Sequence, residues 1–173
     1  MFIRVHLWII TWLISDRLSI LNPQTPTMFG NDRNQLRKVF YDCWQAKQSG
    51  APLDAMQQMI ARIIELHPEY HGLLNTPETL DRDYLPEHGE TNPFLHMSMH
   101  IALGEQLATG RPAGILDCYQ RLTDSAGSTH EAEHEMMECL AEALWQAQRQ
   151  QQMPDEDAYL ACLQRRAGLK NKI

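Results

Sequence analysis

From Asn31 onward the apolar residues of this chain recur at intervals of three and four, and no stretch sustains the alternation of a strand. That property restricts the chain to helices that each bury one stripe. Leu36, Val39, Phe40, Cys43 and Trp44 mark the first stripe, within residues 31–49, and Gly50 supplies its stop. A second helix begins near Pro52, a residue tolerated in a first turn, and carries Leu53, Met56, Ile60, Ile63 and Ile64 on one stripe. His67 extends this stripe, but Pro68 breaks or restarts the helix, so His67 and His71 are not expected to share one continuous face.

Residues 75–91, with Pro77, Pro86, Gly89 and several acidic side chains, read as a long surface connection. Asn92 then offers an N-cap and Pro93 a first helical position, after which Phe94 to Ala108 is apolar nearly all round, the mark of a central helix. A shorter helix from Pro112 presents Ile115, Leu116, Tyr119 and Leu122 before the turn at Ser125-Ala-Gly-Ser128. Ser128 and Glu131 match a capping box for a helix that runs to about Gln150, with Met137, Leu140, Ala141, Leu144 and Trp145 inward. A last helix spans Asp155 to Ala167 and ends at Gly168. The expected fold is therefore all-α, a single-domain helical bundle of about five to six helices, the last three packed antiparallel through short connections.

Composition narrows the function classes. At 173 residues and 43% apolar content the chain can bury a substantial core. Its formal charge of -7 and the absence of any basic run argue against a nucleic-acid partner, which requires clustered Lys and Arg. The four cysteines, Cys43, Cys118, Cys139 and Cys162, form no C-x-x-C and sit among apolar helical positions, which favours reduced packing residues and a cytoplasmic setting. Residues 1–27 differ from the rest. Phe2 to Ile14 is apolar but interrupted by Arg4 and His6, too short for a stable membrane span, and no A-x-A-like cleavage site follows. Leu21 to Thr27 reads as a linker, so the bundle is expected over residues 28–173, with Met28 as the biological start.

Six of the eight histidines fall into three H-x-x-x-H pairs, His67/His71, His96/His100 and His130/His134. This spacing stacks two imidazoles on one helical face, close enough to grip one ion. His96 and His100 share a stripe with Leu103 and Leu107, and His130 and His134 share one with Met137 and Leu144, so both pairs are expected to point inward. Facing helices would bring four imidazoles together, with Glu138 one turn beyond His134 as an alternative oxygen ligand, for a divalent transition metal such as zinc. The competing reading is a buried metal-free network in which His96 or His100 bonds Glu138 or Glu142.

His130-Glu-Ala-Glu-His134 also fits H-E-x-x-H, in which two histidines bind zinc and the glutamate activates water. Against protease function stand the capping role of Glu131, the lack of a specified third ligand and the lack of a strand to align a peptide. Met97, Met99, Met136 and Met137 read as core packing rather than copper ligands.

Three segments taken in order, His67-Pro-Glu-Tyr-His71, Thr91-Asn-Pro-Phe-Leu-His-Met-Ser-Met-His100 and His130-Glu-Ala-Glu-His134 followed by Glu135 and Met136-Met-Glu-Cys-Leu140, give the chain its resemblance. It resembles the domain of unknown function 1841 family of small proteobacterial proteins, from Met28 to about Arg166. The resemblance implies no particular reaction or cofactor; it implies that Glu133, rather than Glu131, belongs to the shared motif. DinB-like proteins, with an isolated histidine before a later H-x-x-x-H, and hemerythrin-like proteins, to which His134 and Glu138 supply one H-x-x-x-E, are analogies whose full ligand order this chain does not match.

The sequence thus points to a bacterial helical bundle with His96, His100, His130, His134 and Glu138 as candidate metal ligands. As an enzyme it would perform metal-assisted hydrolysis with Glu133 moving the proton of bound water. The alternative is a noncatalytic interaction module that takes a protein or small-molecule partner through the 75–91 connection or an exposed helix face.

Overall fold

The computed structural model of the chain describes residues 30–84 and 91–169. The apolar N-terminal segment with the expected start at Met28, and Pro86 and Gly89 of the acidic connection, lie outside the described residues. Among the described residues every regular element is helical, as the periodicity requires. The described residues hold seven α-helices, somewhat more than five or six: α1 Gly30–Gln48, α2 Ala55–Glu65, α3 His71–Leu74, α4 Pro93–Thr109, α5 Ile115–Ala126, α6 Thr129–Gln150 and α7 Glu156–Arg166, with 3₁₀ turns at Pro68–Tyr70 and Pro77–Asp81. No described helix is long and apolar enough to cross a membrane. The described residues divide into two compact units, one ending at Ile101 and the other beginning at Ala102.

In the first unit, α1 packs on α2 and on the second 3₁₀ turn. α2 starts later than Pro52 suggests. Its N-cap is Asp54, whose carboxylate accepts from the Gln57 backbone N–H while the Gln57 side chain accepts from the Asp54 N–H. This reciprocal pair satisfies two of the orphan donors of a helix start, a stronger signal than a nearby proline. The core gathers Phe40, Cys43 and Trp44 from α1, Ile60, Ile63 and Ile64 from α2, and Phe94 and Met97 from α4. Phe40 meets the Phe94 ring edge-on at 6.0 Å.

Val39, expected inward, is 44% exposed, and the charged Arg37 is buried instead. Arg37 Nη1 donates to the carbonyls of Leu80 and Arg82 at 2.8 Å each, and its guanidinium lies over the Tyr84 and Phe94 rings. A planar cation that serves two carbonyls and two ring faces fills the interior as a hydrophobic residue would, while tying α1 to the end of the 3₁₀ turn. At the start of α4, Asn92 Oδ1 accepts from the backbone N–H groups of Phe94 and Leu95, the cap expected before Pro93.

The second unit is built on α5, α6 and α7, which all pack on one another. α5 begins at Ile115 rather than Pro112. Ser128 Oγ accepts from the Glu131 N–H at 3.1 Å, which is the serine half of the expected capping box. Ile115, Cys118 and Leu122 from α5, Met136, Met137, Leu140 and Leu144 from α6, and Tyr159 and Leu163 from α7 are buried. Ala141 and Trp145, assigned inward by periodicity, are exposed, and Arg149 lies over the Trp145 ring at 5.3 Å. The Tyr159 hydroxyl donates to Gln106 Oε1 at 2.8 Å inside the unit.

Two of the four cysteines depart from the reduced state expected of them. Cys139 of α6 and Cys162 of α7 form a disulfide, while Cys43 and Cys118 are free and buried. Nothing in the spacing marks the pair, because the sulfurs meet across a helix–helix seam rather than within a loop. Arg166 of α7 bonds both Glu135 and Glu138 of α6. As residue numbers fall along α6 from Cys139 to Glu135 they rise along α7 from Cys162 to Arg166, so these two helices run antiparallel, as expected.

Candidate metal centre

Pro68 decides the fate of the first H-x-x-x-H pair. A residue before proline is pushed out of the helical region, and His67 sits at φ -124°, ψ 69°, just past the end of α2. The chain then turns through Pro68–Tyr70, so His67 and His71 part company, in line with the reading that they share no continuous face. His71 lies against Trp44 with ring centroids 4.3 Å apart and the planes tilted by 32°, and donates from Nε2 to the Ile64 carbonyl at 2.9 Å. His67 is 1% exposed and turns toward α4.

On α4, His96 and His100 lie one turn apart with ring centroids at 5.1 Å. His67 stands 4.7 Å from the His96 ring and 4.8 Å from the His100 ring, which closes a nearly equilateral triangle of imidazoles. Three imidazoles on one ion, at the usual metal–nitrogen distance of about 2.0–2.1 Å, place their centroids about 4.5 Å apart for right-angled and about 5.2 Å apart for tetrahedral coordination. All three observed separations fall inside that interval. His67 Nε2 and His96 Nε2 are 2.9 Å apart, the edge of a coordination polyhedron with right-angled ligands, and His67 and His100 each offer a ring nitrogen within 4.8 Å of the other's.

Tyr70 backs this triangle. Its ring stacks parallel to His67, 5.4 Å between centroids at 5°, and meets His96 edge-on at 5.8 Å. Desolvation by burial, and next the nearby Glu69, push the Tyr70 hydroxyl above its ordinary pKa, so the phenol stays protonated at neutral pH.

In the second unit, α6 brings His130 and His134 together as the spacing requires, their ring centroids 4.3 Å apart at 58° and their ring nitrogens within 4.8 Å. Both are half-buried, as is Glu133 between them. Glu131 is exposed, its backbone engaged in the cap. Glu138, proposed as an oxygen ligand, has a side chain 65% exposed and bonded to Arg166. Of the sequence-derived ligands, then, His96 with His100 and His130 with His134 form the expected pairs, and Glu138 is turned to an ion pair. Sequence reasoning passed over His67. The signal was present in its position on the buried stripe of α2, directly before a proline that releases its side chain from the helix.

The three rings His67, His96 and His100 offer only nitrogen donors. An all-imidazole donor set suits zinc, copper, nickel and iron rather than magnesium or calcium, which prefer oxygen. No curated protein matches the chain, and no solved structure matches it. The family described as a domain of unknown function, DUF1841, matches residues 32–165, which include all three H-x-x-x-H pairs and most of both units. The chain belongs to the DUF1841 family.

Proposed function

We propose that this protein binds a divalent transition-metal ion of the zinc class through the imidazoles of its H-x-x-x-H motifs. One observation supports the reading: three rings from two separate chain segments, His67, His96 and His100, stand at mutual separations of 4.7, 4.8 and 5.1 Å, a spacing that one shared ion accommodates. His130 and His134 enter the proposal as a further pair of donors, supported by their i,i+4 placement on α6. Glu138 enters it only as an oxygen donor that must first leave Arg166. An ion on the α6 pair would activate a bound water, and Glu133, which lies between His130 and His134 in sequence, is the carboxylate we assign to its proton.

A second reading has its own observation. The 2.9 Å contact between His67 Nε2 and His96 Nε2 is also the length of an N–H···N hydrogen bond, so a metal-free network that braces a noncatalytic interaction module satisfies the same atoms. Elemental analysis of the untagged full chain separates the two. Metal binding requires a stoichiometric transition metal in the wild type that is lost from His67→Ala/His100→Ala; the His130→Ala/His134→Ala variant reports whether the second pair contributes. Metal-free wild type, with the same melting temperature in chelator and in added zinc, would reject the metal and leave the network.

A further inference from the structure

We infer that His67 is the anchoring ligand of this centre, that it coordinates through Nε2, and that Tyr70 is the residue that positions it. The inference rests on the metal-binding reading above and specifies which atom takes the ion and what holds that atom in place. His67 Nδ1 lies 2.7 Å from the Ile63 carbonyl, and a carbonyl only accepts, so Nδ1 carries the ring proton. In neutral His67 the lone pair is therefore on Nε2, the nitrogen directed at His96. A ligating imidazole characteristically gives its other N–H to a backbone carbonyl in this way, which fixes the tautomer and raises the basicity of the ligating nitrogen.

The carbonyl that performs this task is available for a structural reason. Ile63 lies in the last turn of α2, where carbonyls run out of intrahelical partners, and the break before Pro68 leaves His67 at the distance of one turn to supply the missing donor. The ring is then pinned from its face. Tyr70 lies parallel to it at 5.4 Å and also meets the edge of His96, so one phenol ring restrains two of the three imidazoles. His71 makes no such contribution, because its Nε2 is committed to Ile64.

The same arrangement defines what happens when the ion enters. Without an ion, His96 holds its proton on Nε2 and donates it to the His67 lone pair across 2.9 Å. An ion taken up here would be held by the His67 Nε2 lone pair, and His96 would release its Nε2 proton to solvent and take one up at Nδ1. His96 Nε2 then becomes a second donor, no net charge is created on either ring, and the existing nitrogen–nitrogen separation already matches two adjacent ligand positions. The ligands are preorganised, so little rearrangement opposes uptake.

Two measurements on the full chain test this. Long-range ¹⁵N–¹H correlation spectra of ¹⁵N-histidine-labelled protein, stripped with chelator, should show His67 protonated at Nδ1 and unprotonated at Nε2, its signals assigned by their loss in His67→Gln. The opposite tautomer would overturn the assignment of the ligating atom. Cobalt(II) titration followed by visible absorption should give Tyr70→Phe an affinity within about twofold of wild type, because the ring stack survives. Tyr70→Ala should bind about 10- to 100-fold more weakly and with an altered ligand-field spectrum while its melting curve remains cooperative. Wild-type affinity and spectrum in Tyr70→Ala would overturn the positioning role. A wild type that binds no cobalt would instead reject the metal reading itself, with the tautomer of His67 decided separately by the spectra.

Discussion

Reducing the Cys139–Cys162 bond removes a cross-link whose worth follows from the length of chain it closes. The two cysteines are 23 residues apart in sequence. Restricting a loop of that size in the unfolded ensemble stabilises the folded state by about 3 kcal/mol at 25 °C. The interactions left behind do not replace it: the Arg166 bonds to Glu135 and Glu138 are substantially exposed and worth at most about 1 kcal/mol each. Together with the buried Tyr159 and Leu163 they still hold α7, so the reduced protein is expected to remain folded. For a chain of 173 residues a loss of about 3 kcal/mol lowers the melting temperature by about 6–12 °C. The assay is calorimetry of the wild type with and without a phosphine reductant, paired with thiol counting after denaturation. Two titratable thiols, from Cys43 and Cys118, are expected without reductant and four with it. Cys139→Ala/Cys162→Ala should melt near the reduced wild type and be insensitive to reductant. Four thiols in the unreduced protein, or identical melting in both conditions, would refute the reasoning.

Two further predictions concern the first unit. Arg37→Met keeps the apolar stem but deprives the Leu80 and Arg82 carbonyls of their donor, and urea denaturation should show a loss of roughly 2–3 kcal/mol; a change below about 0.5 kcal/mol would refute the tethering role. Burial, with Asp54 and Asp42 nearby, pushes the Cys43 thiol from 9.0 up to about 11. The folded state therefore keeps a proton that the unfolded state gives up. The stability this thiol contributes is full below pH 9 and is lost as pH rises to about 11. Unfolding free energies measured across that range should fall more steeply in wild type than in Cys43→Ala, and equal slopes would contradict the shift.

How much of this was written in the chain varies with the kind of force involved. Asn92-Pro93 located the start of α4 because a cap is a local device, complete within a few residues, and Ser128 did the same for α6. Pro68 correctly separated His67 from His71, since its steric effect acts on its immediate neighbour. Periodicity was less reliable about orientation. Val39 and Trp145 fit their stripes by spacing, yet both are exposed, because a spacing rule gives the width of an apolar face but not how far a neighbouring element reaches across it. Arg37 was illegible for the converse reason: its charge marks it as a surface residue until the carbonyls and aromatic faces that receive it are known. The disulfide was hidden in the same way, since 23 residues and a helix reversal separate its halves. At the candidate centre, the pairs on α4 and α6 were readable as pairs. The place of His67 beside His96 and His100 needed the fold, because it comes from a different segment and its ring is held by the Ile63 main-chain carbonyl, which no side-chain pattern encodes.

Only Gly127 and Ser128 separate α5 from α6. Gly127 takes the left-handed conformation, φ 83°, that ends one helix, and Ser128 at once caps the next. A joint this short costs little loop-closure entropy, so the two helices meet as soon as each is formed, and their hairpin is suited to serve as an early folding nucleus onto which α7 later docks. Lengthening that joint with flexible residues would slow folding while leaving the rate of unfolding nearly untouched.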